Sequence, residues 1–239
     1  SELMAVMTGG FATVAGGILA IYVMWLADIP GIAGHLLAAS VMSAPGALVM
    51  AKIIYPETET SETMGEMKIT IEQKNTNAME ALGDGATIGL KLAANVGAML
   101  VAFVSLVAMI NYLLGFAGTS METILGFIFK PLAWTMGVPW SEAGTLGTLM
   151  GEKIVFTELI AYGHLKELMS SGAISDRTAI IASYALCGFA NFGSIGIQLG
   201  GIGGMAPERK KDLAKLVTKA MIGGALASWL TATIAGLLI

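Results

Sequence analysis

The segment "SYALCGFANFGSIGIQLGGIGG", Ser183 to Gly204, is apolar enough for a membrane yet has features that a simple spanning helix does not need. It contains seven glycines, and it places Asn191, Ser194 and Gln198 in its middle. Glycine loosens helical backbone, and a buried polar side chain requires a hydrogen-bond partner. The segment therefore predicts a helix that is broken inside the membrane and binds a polar solute. The alternative is helix–helix packing through small residues with one interhelical hydrogen bond.

The overall composition is that of a protein embedded in lipid. Of the 239 residues, 55% are hydrophobic and 13% are charged, whereas a soluble domain carries about 25% charged residues. No run of basic residues indicates nucleic-acid binding, and the single Cys187 excludes a disulfide within the chain. The sequence therefore predicts an all-α polytopic membrane protein in contact with the lipid bilayer.

The spacing of the apolar runs divides the chain into parts. Several runs reach the length of about 20 residues that spans the hydrocarbon of a bilayer. Two short segments joined by the Pro139-Trp140 turn predict a hairpin that enters the membrane and returns. The predicted parts are a broken helix and following span (1–55), an extramembrane or interfacial segment (56–84), a long scaffold helix (85–115), and a second repeat with the re-entrant hairpin, a broken helix and a final span (116–239).

The glycine-rich segment has a counterpart near the start of the chain. "CGFANFGSIG", from Cys187, aligns with "GGFATVAGGI", from Gly9, and in both copies Gly-Phe-Ala precedes a small polar residue, Asn191 or Thr13. Paired interrupted helices mark the binding site of secondary transporters built from internal repeats. The physical reason is that a break frees backbone groups, which a ligand or an ion can then satisfy. This pairing favours a binding site over simple helix packing.

Glu158, within "GEKIVFTELIAYGHL" (151–165), is the strongest single candidate for a functional side chain. Apolar residues flank it on both sides, and ionisable groups inside a membrane are costly and usually functional. It could hydrogen-bond substrate hydroxyls, coordinate a cation or carry a proton. An internal ion pair with Lys153 is the alternative. Neither His35 nor His164 has the neighbours that a metal site requires.

The stretch around Glu158 resembles the signature of the concentrative nucleoside transporters, G-x-K-x-x-x-N-E-F-V-A-Y. The matching positions are Gly151, Lys153, Glu158, Ala161 and Tyr162. The departures are Thr157, where asparagine is usual, and Leu159-Ile160 in place of Phe-Val. "ALCGFANFGSIGIQLGGIGGMAPERK", "HLLAASVMSAPGALVMAKIIYPE", "GLKLAANVGAML" and "PLAWTMGVPW" resemble other stretches of that family. The family's first hairpin, with its G-Q-T-E motif, has no counterpart here, so the chain resembles the C-terminal portion of such a transporter.

The resemblance implies a fold and a site. In that family two inverted repeats, each a re-entrant hairpin followed by a discontinuous transmembrane helix, hold the substrate between them, and the assembly is a homotrimer with a scaffold helix. The resemblance implies nucleoside contacts by Glu158, Thr157, Asn191, Ser194 and Phe189 in the second repeat, and by Gly17 and Ile18 in the first. It also implies sodium coordination at Thr13 and Val14.

The expected function is nucleoside uptake by a multi-pass protein of the plasma membrane, the inner membrane of a bacterium. The expected mechanism is sodium-coupled symport by alternating access, with Na⁺ or H⁺ co-transported and no resident cofactor. Two alternatives remain open: a proton-coupled symporter, in which Glu158 carries the proton, and an uncoupled nucleoside channel or binding protein. An enzyme is not expected, because neither Ser194 nor Glu158 has the partner that a nucleophile or an acid–base pair needs.

Overall fold

The computed structural model describes residues 1–58, 60 and 76–239, and the regular structure of these residues is entirely helical. The prediction of an all-α protein is therefore confirmed. The helices are α1 (Glu2–Ala12), α2 (Gly16–Trp25), α3 (Ile32–Ile54), α4 (Ala78–Gly115), α5 (Met121–Thr135), α6 (Trp140–Val155), α7 (Glu158–Ser170), α8 (Asp176–Ala185), α9 (Phe192–Met205) and α10 (Lys210–Leu238), with a short 3-10 helix at Pro207–Arg209.

Within the described ranges, three helical stretches are long and apolar enough to cross a membrane. They are Glu2–Trp25, Ile32–Ile54 and Pro207–Leu238, with 24, 23 and 32 residues. The first stretch combines α1 with α2. Large apolar side chains such as Val6, Val41 and Leu237 are exposed on these stretches, which is the surface that lipid requires.

The long helix α4 begins at Ala78, earlier than the predicted start at 85. Asn77 sets this start, because its side chain accepts a hydrogen bond from the backbone N–H of Glu80 at 2.9 Å and so caps the helix. Much of the polar segment predicted over 56–84 lies outside the described residues, which omit 59 and 61–75. Farther along, α4 packs against α9, with Leu92 next to Gly204 and Asn95 next to Gly200.

Both predicted helix breaks are present. The first lies between α1 and α2, where Thr13 is extended, with φ −99° and ψ 161°. The second lies between α8 and α9 and contains Gly188, whose φ is +109°. At this positive φ a side chain would be strained. The breaks expose backbone groups of both repeats in the protein interior.

The chain forms two consecutive antiparallel helix pairs, α5–α6 and α6–α7, where the sequence predicted one hairpin at the Pro139-Trp140 turn. The Pro139-Trp140 turn joins α5 to α6, which run antiparallel, with Gly147 packed against Gly126. Glu158 starts α7, at the far end of α6. A helix of 16 residues separates the two turns, a length of about 24 Å. The hairpin that carries Glu158 is therefore α6–α7. A 2.8 Å contact between Glu152 and His164 joins its two helices.

The two breaks pack against each other and against α10. A Cβ atom placed on Gly188 would lie 2.6 Å from the carbonyl oxygen of Ala12 and 2.8 Å from the hydroxyl of Ser228. From the second repeat, Gln198 Nε2 donates to the carbonyl oxygen of Met7 at 3.4 Å. Glycine at 188 thus permits the close approach of the second break to the end of α1.

We expect Gly188→Ala to lower the stability of the purified protein strongly. The added methyl group must sit at a positive φ, which costs about 1 kcal/mol, and it meets backbone of another helix, for which overpacking costs about 1–3 kcal/mol. Gly172→Ala is the matched control, because Gly172 also has a positive φ, +67°, but nothing lies within 4 Å of its Cβ position. Thermal unfolding in detergent should show a clearly larger loss for Gly188→Ala. Equal losses would contradict the close packing of the breaks.

Candidate functional site

Glu158 is a buried carboxylate at the tip of the α6–α7 hairpin. Its relative exposure is 1%, and it is the first residue of α7. Thr157 caps this helix, since its hydroxyl accepts a hydrogen bond from the backbone N–H of Ile160 at 3.5 Å. The N-terminal end of a helix carries positive partial charge. This position therefore stabilises a negatively charged side chain away from water.

Two side chains, one from each repeat, donate hydrogen bonds to Glu158. The hydroxyl of Tyr22, on α2, donates to Oε1 at 3.0 Å. The amide Nδ2 of Asn191, at the second helix break, donates to Oε2 at 3.3 Å. Each carboxylate oxygen has a second lone pair, so both oxygens can accept a further hydrogen bond from a bound hydroxyl group.

Asn191 is held in one orientation by the helix that it caps. Its Oδ1 accepts a hydrogen bond from the backbone N–H of Ser194 at 2.8 Å, which directs Nδ2 towards Glu158. The hydroxyl of Ser194 is buried and has no hydrogen-bond partner in the described part of the protein. Such an orphaned buried hydroxyl requires an explanation. A polar solute next to Asn191 would provide its missing partner.

The other residues predicted for the site surround this centre without hydrogen bonds to Glu158 among the described contacts. Phe189 and Val14 are half-buried, as is Ile18, whereas Gly17 is exposed. Ile18 lies one turn before Tyr22 on α2, so both share one helix face. The structure therefore links Glu158, Asn191 and Ser194 directly. Gly17 and Ile18 lie on α2, the helix of Tyr22, and Val14 lies in the break before it.

Thr13 and Val14 lie where α1 ends and the backbone is extended. The Thr13 hydroxyl donates to the carbonyl oxygen of Gly9 at 3.0 Å. The C-terminal end of a helix carries negative partial charge, and unwound carbonyls at half-helix ends are the usual ligands of coupling cations. Residues 1–58, 60 and 76–239 contain no cluster of three or more His, Cys, Asp or Glu side chains that could hold a metal. An ion here would be held by hydroxyl and carbonyl oxygens.

Tyr22 is a candidate site residue that the sequence did not reveal. It is fully buried, and its ring lies 4.3 Å from that of Tyr162, measured between centroids. In the sequence, Tyr22 is a tyrosine within the otherwise apolar α2, one turn after Ile18. No motif marks this position. The contact with Glu158 spans 136 positions of sequence.

Lys153 does not pair with Glu158, the partner that the sequence suggested as an alternative. It does not form an ion pair with Glu158 within 4.0 Å, both residues lying in the described part of the chain. Instead its ammonium donates to the carbonyl oxygens of Ala185 at 3.0 Å and Cys187 at 3.3 Å. Lys153 therefore binds the second helix break, and the internal ion pair with Glu158 is not formed.

A helical hairpin beside two interrupted apolar helices, with a buried carboxylate between them, is the arrangement of membrane transporters built from internal repeats. The chain belongs to the family of sodium-dependent nucleoside transporters. Residues 35–236 match the family described as "Na+ dependent nucleoside transporter C-terminus".

Sequence relatives agree with this assignment. The chain is 46% identical over 247 residues to "Uncharacterized transporter YutK" of Bacillus subtilis, covering 100% of this chain and 60% of the relative. It is 43% identical over 249 residues to "Nucleoside permease NupC" of Helicobacter pylori, covering 100% of this chain and 58% of the relative. The chain thus spans less than two thirds of these proteins. These relatives are named as a transporter and a permease, not as enzymes.

Solved structures show the same fold. An outward-facing variant of the transporter CNTnw superimposes with a TM-score of 0.86 at 45% identity, covering 99% of this chain and 57% of that one. CNTnw in an inward-facing substrate-bound state gives a TM-score of 0.77 at 46% identity, with the same coverage. The fold of broken helices and hairpin is therefore that of a known transporter.

We expect Asn191→Ala to destabilise the protein more than the loss of a helix cap alone. Removing an asparagine cap costs about 1 kcal/mol, and leaving a buried carboxylate without one of its donors costs about 1–3 kcal/mol more. Asn77→Ala is the matched control, because Asn77 caps α4 in the same way at an exposed position. Thermal unfolding of the purified full-length protein measures both. Equal losses would show that the Asn191–Glu158 contact contributes nothing.

Proposed function

We propose that this chain provides the substrate site of a sodium-coupled nucleoside symporter in the inner membrane of a bacterium. The observation that carries the proposal is the buried carboxylate of Glu158, held by Tyr22 of the first repeat and Asn191 of the second. A carboxylate at membrane depth with free lone pairs is a strong acceptor for hydroxyl groups. A nucleoside presents two adjacent hydroxyls on its ribose.

In this proposal the ribose binds at the hairpin tip. Glu158 accepts hydrogen bonds from the ribose hydroxyls, Asn191 both donates and accepts, and the orphaned hydroxyl of Ser194 gains its partner. Phe189 lies beside them in sequence and is half-buried. Thr157 offers a hydroxyl at the position where the family has an amide.

The nucleobase packs against the first repeat. Gly17 and Ile18 form the start of α2, one turn before Tyr22, whose hydroxyl contacts Glu158. Glycine leaves room for a flat ring to approach the backbone, and Ile18 offers apolar surface. This arrangement places base and ribose on different repeats, so that one substrate molecule bridges both.

Sodium is the co-transported ion in this proposal, and it binds at Thr13 and Val14. The support is the extended backbone at the end of α1 and the absence of acidic or histidine clusters in the described chain, because unwound carbonyls and half-helix ends suit such an ion. Sodium stabilises the backbone of the first break, and substrate contacts both breaks. Each ligand therefore stabilises the conformation to which the other binds. Such coupling is reciprocal. No resident cofactor is required.

The assembly proposed is a homotrimer in the bilayer, built on the scaffold helix α4. This helix is 38 residues long, longer than a bilayer requires, and it exposes apolar residues such as Leu90, Val101 and Leu113. Its packing against α9 connects it to the second broken helix. Alternating access would then move the hairpin and broken helices relative to this helix.

We expect Glu158→Gln to reduce sodium-driven nucleoside uptake by about 100-fold or more while leaving folding intact, since charged hydrogen bonds contribute about 1.5–3 kcal/mol each. The measurement is uptake of labelled uridine into proteoliposomes holding the full-length protein, with size-exclusion elution as the folding check. Glu152→Gln is the matched control, because Glu152 lies on the same hairpin but contacts His164. Near-normal uptake by Glu158→Gln would remove the carboxylate from the site.

We expect Thr13→Ala to raise the sodium concentration that gives half-maximal uptake, by about fivefold to tenfold for one lost oxygen contact. Uptake at saturating sodium should change little, because the substrate contacts remain. Thr233→Ala is the control, since the Thr233 hydroxyl makes the same kind of bond to the carbonyl four residues earlier, at 2.8 Å, on α10. An unchanged sodium curve for Thr13→Ala would place the ion elsewhere. Uptake driven by protons alone would support the proton-coupled alternative.

A further inference from the structure

Lys153 is a fully buried cation that forms no ion pair with Glu158 in the described part of the chain. Its relative exposure is 0%, and it lies on the last turns of α6, inside the hairpin. Its ammonium donates to the carbonyl oxygens of Ala185 at 3.0 Å and Cys187 at 3.3 Å. Ala185 is the last residue of α8. The charge of Lys153 is thus placed at the C-terminal end of a half-helix.

This placement satisfies two requirements at once. A buried ammonium needs hydrogen-bond acceptors, and the last carbonyls of an interrupted helix need donors. The negative partial charge at the helix end stabilises the cation. Another carbonyl oxygen of this turn, that of Ser183, accepts a hydrogen bond from the hydroxyl of Tyr162 at 2.7 Å. Side chains of the α6–α7 hairpin therefore satisfy the second break.

We propose that Lys153 is a positioning residue: a tethered cation that holds the second break against the α6–α7 hairpin. It holds the chain from Ala185 to Cys187, and Asn191 follows four residues later, with its N–H donating to the carbonyl oxygen of Phe189 at 2.9 Å. On the hairpin, Lys153 stands five residues before Glu158. Lys153 therefore fixes the position of Asn191 relative to Glu158.

In this role Lys153 holds Asn191 near Glu158 before substrate arrives, because the cation is covalently attached to the hairpin that carries Glu158. The proposal rests on the proposed function for its transport readout, but its structural content, a charge that holds the second break, does not.

Lys153→Ala tests this role by chemical rescue in the full-length protein. The substitution removes the ammonium and leaves a space that n-propylammonium can enter. We expect the KM for uridine uptake in proteoliposomes to rise about tenfold or more, since two carbonyls lose a charged donor, and the thermal unfolding midpoint to fall. Millimolar n-propylammonium should bring both the KM and the unfolding midpoint most of the way back to their wild-type values. This restoration should saturate as the amine concentration rises. Neutral n-propanol, of the same size, should restore neither.

Two further variants separate charge from packing. Lys153→Met fills the space without donating, so it should show the same losses and no rescue by the amine. Lys166→Ala, at an exposed lysine of α7, should show no loss. A wild-type KM and unfolding midpoint for Lys153→Met would overturn the proposal. Equal restoration of Lys153→Ala by n-propanol would also overturn it, because the role would then be space-filling.

The readouts remain informative if Lys153→Ala does not fold. The yield of folded protein is then measured after extraction with n-propylammonium or with n-propanol. A higher yield with the amine supports the tethered cation, and equal yields overturn it. The unfolding midpoint requires no substrate. Failure of the wild-type protein to take up uridine would therefore defeat the proposed function, and leave the test of Lys153 intact.

Discussion

The burial of one carboxylate, that of Glu158, sets the conditions that the surrounding helices meet. An ionised group away from water needs donors and a favourable field. The start of α7 supplies the field, and Tyr22 and Asn191 supply the donors. Tyr22 reaches the hairpin tip from within α2, whereas Asn191 reaches it from the break where α8 gives way to α9. The breaks, the glycine at 188 and the packing on α10 all follow from bringing these groups together.

Each helix break leaves carbonyl oxygens without helical partners. At the second break, Lys153 and Tyr162 reach these oxygens from the neighbouring hairpin. The same hairpin carries Glu158, which accepts a hydrogen bond from Asn191 beyond the break. One hairpin therefore positions both the carboxylate and the amide that donates to it.

Local features of the sequence predicted much of this arrangement, and long-range contacts account for most of what they missed. Glycine-rich interruptions predicted both breaks, and apolar flanks singled out Glu158. The Pro139-Trp140 turn indicated one hairpin, whereas the second hairpin, α6–α7, turns at Phe156 and Thr157, where no proline or glycine marks it. Tyr22 and the partners of Lys153 depend on how distant segments pack, which no local pattern reports.

The most direct test is uptake of labelled uridine into vesicles that contain the intact full-length protein. A sodium gradient, a proton gradient or no gradient is imposed across the same vesicles. Accumulation above the external concentration should occur with the inward sodium gradient alone. Equilibration at the same rate under all three conditions would contradict ion coupling, and no uridine entry under any of them would contradict the nucleoside site at Glu158.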